Sequence, residues 1–163
     1  GNACMENINR KHKDRLFSFL FGNSDHKDWT LSLYNTVNSS CYDNPDDIQI
    51  TTMGSVICMG MKNDVSFIIS DMLNIYEQQS SFNPNMPIRL LMYAARLYDK
   101  YIHGIHGNIY GSSLVRLPQP KLVVFYNGPQ ERADTVLRLS DAFQADGGRR
   151  SYTENTALTD PQK

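Results

Sequence analysis

Lys62-Asn63-Asp64-Val65-Ser66-Phe67-Ile68-Ile69, a connection over Ser70 to Asn74, and then Ile75-Tyr76-Glu77-Gln78-Gln79-Ser80 are the residues on which the fold turns. Apolar side chains recur at every second position on both sides of a connection too short for a crossover, so two antiparallel strands are expected. A turn centred on Asp71-Met72 sets residue 64 opposite 79, and a shift of one residue sets it opposite 77. In either register Asp64 lies beside Glu77 and Gln79, which share a face because strand side chains alternate. Opposed Cβ atoms in such a pair are about 5 Å apart, so the two carboxylates repel unless a positive charge lies between them. A divalent cation suits that place, since Mg²⁺ takes one or two carboxylates and keeps positions for water and phosphate. On spacing alone, a solvated surface hairpin is the commoner setting for two such acids.

Outward from the hairpin, Leu16, Phe17, Phe19, Leu20 and Phe21 follow the charged stretch Arg10 to Arg15 and predict a helix that Gly22-Asn23 ends. Asp28 is the expected N-cap of a second helix through Asn38, which buries Leu31, Leu33, Tyr34 and Val37. Further strands are expected around Ile48 and Ile50, over Val56 to Met59, and over Lys121 to Tyr126, which Asn127-Gly128-Pro129 closes. Asn83-Pro84-Asn85-Met86-Pro87 suits the start of a third helix, with Asn85 as N-cap. That helix is expected to bury Ile88, Leu91, Met92, Ala95, Tyr98 and Ile102, leaving Arg89, Tyr93, Arg96 and Lys100 on the other face. A short amphipathic segment is expected near Thr135 to Phe143. The order is α, α, about three antiparallel β, α, β. Residues 5–143 form the expected domain, and residues 144–163 form a polar, glycine-bearing tail expected to be poorly ordered.

Five ordered blocks carry a resemblance: Lys13-Asp14-Arg15-Leu16-Phe17-Ser18-Phe19-Leu20-Phe21-Gly22; Asn63-Asp64-Val65; Tyr76-Glu77-Gln78-Gln79-Ser80; Asn83-Pro84-Asn85-Met86-Pro87-Ile88-Arg89; and Phe125-Tyr126-Asn127-Gly128. Over about residues 8 to 143 the chain resembles the recombination-promoting nuclease (Rpn) and transposase family of the PD-(D/E)XK nuclease superfamily. The resemblance implies an α/β fold, a restriction-endonuclease-like core of order α-β-β-β-α-β with a mixed central sheet flanked by helices. It implies a Mg²⁺-dependent DNA endonuclease, with Mn²⁺ as a substitute, hydrolysing phosphodiester bonds. Asp64 matches the motif's Asp, Glu77 its acid, and Gln79 stands where Lys is usual. Asp14 matches an acidic position on the family's first helix and is a further metal-ligand candidate.

Asn63 replaces a Pro whose role is in the backbone. Gln79 brings an amide where Lys would bring charge, so it can orient a water without stabilising an anion. Pro45-Asp46 also looks like the motif's start, but no acid-x-Lys or acid-x-Gln follows it at hairpin distance until Glu77, which Asp64 already serves better. Lys13, Arg89, Arg96 and Lys100 are the DNA-binding candidates, although a charged stripe is more often a wet face. The rival expectation is a catalytically inactive DNA-binding or protein-interaction module with the nuclease fold.

Composition agrees with one domain and a substantial core: 163 residues, 40 % of them hydrophobic and 10 % aromatic. A formal net charge of −1, from 16 basic and 17 acidic residues, argues against a polycationic nucleic-acid binder and leaves room for a local basic cleft. No apolar run reaches the about 20 residues that span a bilayer, so no membrane and a cytoplasmic location are expected; a homo-oligomer stays open. Cys4, Cys41 and Cys58 lack a C-x-x-C pair and signal neither a disulfide framework nor a zinc knuckle. His103 and His106 flank the helix-breaking Gly104 with no third ligand evident.

Overall fold

A computed structural model describes residues 16–52 and 64–144. The expected strand over Val56 to Met59, the candidates Lys13 and Asp14, and the tail from residue 145 lie outside the described residues. The described chain is mixed α/β, with a four-stranded mixed sheet in the order β1 (Gln49–Ile50), β2 (Asp64–Ile69), β3 (Met72–Gln79), β4 (Gln119–Tyr126). Strands β1, β2 and β3 pair antiparallel, whereas β3 and β4 are parallel. The parallel pair is joined through a helix, as parallel neighbours require.

Helix α1, described at 16–21, buries Phe17 and ends at Gly22, whose amide bonds the Ser18 carbonyl at 2.9 Å. A Cβ on Gly22 would sit 2.8 Å from that same carbonyl oxygen, so only glycine fits the close approach. Helix α2 (Lys27–Asn38) follows a 3₁₀ turn over Ser24–His26. His26 holds the N-cap position, and Asp28 falls in the first turn. The expected Asp28 cap is therefore displaced by two residues: the Asn23 side chain accepts from the Asp25 amide and starts the turn earlier. Asp28 still complements the positive end of the helix. Thr30 donates to the Phe21 carbonyl at 2.6 Å and ties α2 to α1.

Phe17, Leu31 and Tyr34 pack with Ile48, Val65, Phe67, Ile69 and Tyr76 on one face of the sheet. The opposite face carries Leu73 and Ile75 beneath helix α3 (Met86–Gly104), which contributes Met86, Leu90, Tyr93, Ala94 and Leu97. The sheet is thus covered by α1 and α2 on one side and by α3 on the other. Strand alternation sends Val65, Phe67 and Ile69 to the first side and leaves Asp64 and Ser66 on the side of α3.

Two corrections concern α3 and the segment after β4. The stripe Ile88, Leu91, Met92, Ala95 is exposed, and Tyr93, expected on the wet face, is buried at 1 % exposure. The helix carries two apolar stripes, about equal in periodicity. The one containing Tyr93 faces the sheet because it brings hydrogen-bond donors over the polar groups that β2 and β3 place there, and a buried polar group without a partner is costly. The amphipathic segment expected near Thr135 to Phe143 contains only a 3₁₀ turn over Leu139–Ala142. Among the described residues no helix is long and apolar enough to cross a membrane.

Candidate metal and nuclease site

The connection between β2 and β3 fixes the register. Ser70 and Asp71 both have positive φ, 49° and 61°, and Ile69 pairs with Met72. Two residues of left-handed backbone are the tight turn whose twist matches a hairpin. Centred there, one residue earlier than Asp71-Met72, the turn sets Asp64 directly opposite Glu77. Of the two registers compatible with the sequence, the second is the one adopted, and it puts the two acids on the same face of neighbouring strands.

Both are 3 % exposed, so the solvated surface hairpin is not their setting. The Tyr93 hydroxyl donates to Asp64 Oδ2. Burial pushes the Asp64 carboxyl above its ordinary range, with the hydrogen bonds from Tyr93 and the backbone acting against the rise. Glu77 is pushed up by burial as well; Gln79 and Arg89 pull it down, and the neighbouring Asp64 charge pushes it further up. Gln79 Nε2 donates to Glu77 Oε1 at 3.0 Å, and an Arg89 guanidinium nitrogen lies 3.3 Å from the same oxygen. Glu77 Oε2 is buried and makes no hydrogen bond among the described residues.

Asp64, Glu77, Gln79 and Arg89 are therefore brought together, with β2 and β3 supplying the acids and the first turn of α3 supplying the cation. Arg96 and Lys100 lie farther along α3 and are exposed. Tyr93 is the participant that the sequence did not disclose. The available signal was its position four residues after Arg89, which puts both on one side of a helix. Tyr93→Phe should lower unfolding free energy by about 1–3 kcal/mol in chemical denaturation, because it leaves the buried Asp64 oxygen without its donor.

Among the described residues no group of three or more His, Cys, Asp and Glu could hold a metal. The pair at 64 and 77 fits a hard cation that keeps most of its waters. Its donors are carboxylate oxygens on adjacent strands, and one of them, Glu77 Oε2, is buried with no partner among the described residues. No family model, curated protein or solved structure matches this chain.

Proposed function

We propose that the chain is a metal-dependent DNA endonuclease of the PD-(D/E)XK type, resembling the Rpn and transposase family. The observation that carries this is the buried register pair Asp64 and Glu77, with Glu77 Oε2 unpartnered among the described residues. An enzyme-free role gives no reason to place two acids opposite each other under a helix, where burial works against their charge. The element order also supports the restriction-endonuclease-like topology: two helices, three antiparallel strands, a helix, and a strand parallel to the third.

Mg²⁺ or Mn²⁺, when bound, would supply Lewis-acid stabilisation of phosphate charge and a more acidic water. Asp64 and Glu77 are the residues that would hold it. Tyr93 fixes the Asp64 carboxylate by donating to Oδ2, and the Gln79 amide fixes Glu77 by donating to Oε1. This assigns Gln79 first to orienting the carboxylate, while its carbonyl oxygen can accept a hydrogen bond from a water. Arg96 and Lys100 on α3 are the candidates for contact with the DNA backbone, at positions set by phosphate neutralisation and not by base readout.

Purified protein should nick plasmid DNA with Mg²⁺ or Mn²⁺, and chelation should stop it. Gln79→Lys, which installs the superfamily's usual residue, should retain or raise the initial rate of nicking. The ammonium can replace the amide on Glu77 and also bring charge toward the developing anion. The amide at position 79, where an ammonium is usual, favours the rival module that binds DNA without cutting it. Binding of a DNA duplex in a mobility shift, with no cleavage under any divalent cation, identifies that rival.

A further inference from the structure

We propose that the Arg89 guanidinium is a built-in stand-in for the divalent cation, holding Glu77 while the metal is absent and leaving it when the metal binds. This rests on the metal-site reading of Asp64 and Glu77 and adds a regulation of that site.

Two buried carboxylates face each other, and one guanidinium is in contact with one of them, Glu77, through a single nitrogen. An arginine committed to a carboxylate forms a two-pronged pair with both oxygens. Arg89 does not: one terminal nitrogen reaches Glu77 Oε1 at 3.3 Å, the second is directed at the Met86 sulfur at 3.4 Å, and Glu77 Oε2 has no donor among the described residues. A thioether is a weak acceptor. The contact therefore supplies charge without filling the carboxylate's bonding capacity.

Position gives the guanidinium a way out. Its side chain is 27 % exposed where that of Glu77 is 4 % exposed, so it approaches the acid from the solvent side, on the first turn of α3. Seated on Glu77 Oε1, the guanidinium places a positive charge where it repels a second cation approaching the same carboxylate. Gln79, which donates to the same oxygen, has no charge and does not oppose a metal. Arg89 consequently lowers the site's affinity for metal and keeps the buried acid pair partly neutralised until the metal arrives.

Isothermal titration of wild-type protein and Arg89→Gln with MgCl₂, without DNA, tests this directly. The variant should bind Mg²⁺ at least about five-fold more tightly, since it removes a competing ion pair of about average strength. In wild-type protein, the Arg89 Nε–Hε resonance should shift with Mg²⁺ and saturate with the same dissociation constant as the calorimetric binding. That second readout needs no variant and decides the matter if Arg89→Gln fails to fold. Equal or weaker Mg²⁺ binding by folded Arg89→Gln, or Mg²⁺ binding by wild-type protein that leaves the Arg89 resonance unmoved, overturns the inference and leaves the metal site standing. Absence of Mg²⁺ binding by both proteins overturns the metal reading and the inference with it.

Discussion

Asp64→Ala and Glu77→Ala should each reduce Mg²⁺-dependent nicking of plasmid DNA by about 1,000-fold or more while the protein stays folded. Metal-assisted charge stabilisation is worth several kcal/mol of barrier, and each 1.36 kcal/mol is a decade in rate. Each substitution removes a buried carboxylate whose charge burial disfavours, which offsets the void it leaves, and circular dichroism should remain that of the wild type. The two losses should not add in the double variant, because ligands of one ion act as a unit. Activity that survives both substitutions assigns the cleavage to another site or another protein.

The second large effect is on stability, and its sign is unusual for a buried residue. Asp64 and Glu77 are both pushed above the ordinary carboxylate range, with burial as the first cause. A folded acid that holds its proton more tightly than the unfolded chain gives a negative slope of unfolding free energy with pH. The metal-free protein should therefore be most stable at the acid side of that window and lose stability as pH rises through the raised values. Asp64→Asn removes one of the two buried charges and keeps an oxygen to accept from Tyr93. At pH 8 without metal, Asp64→Asn should be about 1–2 kcal/mol more stable than wild type in urea denaturation, with a flatter pH profile. Saturating Mg²⁺ should reverse the order, since ligand at 100 times its dissociation constant adds about 2.7 kcal/mol to a protein that binds it and nothing to one that does not. A variant less stable than wild type in both conditions would show that the carboxylate is held for structure.

The hairpin was legible because alternation and a short connection leave few registers, and the two that remained both put Asp64 beside Glu77. Choosing between them needed the left-handed backbone of Ser70 and Asp71, which neither residue type announces as a glycine would. The third helix was legible in position and in its Pro87 start but not in its rotation. Two apolar stripes offered equal periodicity, and the choice depended on polar groups contributed by strands distant in sequence. That same choice moved Arg89 from a solvent-facing DNA contact to a partner of Glu77, and Tyr93 from the surface to a donor on Asp64. The resemblance to a nuclease family named the acids but held no information about which groups would neutralise them.

The most direct measurement is a crystal structure of the protein grown with Mn²⁺, with data collected for anomalous signal. A peak is expected between strands β2 and β3, against a carboxylate oxygen of Asp64 and one of Glu77, with the Arg89 guanidinium withdrawn from Glu77. Absence of a peak between those two carboxylates under Mn²⁺ concentrations that support cleavage, with Arg89 still on Glu77, would contradict it.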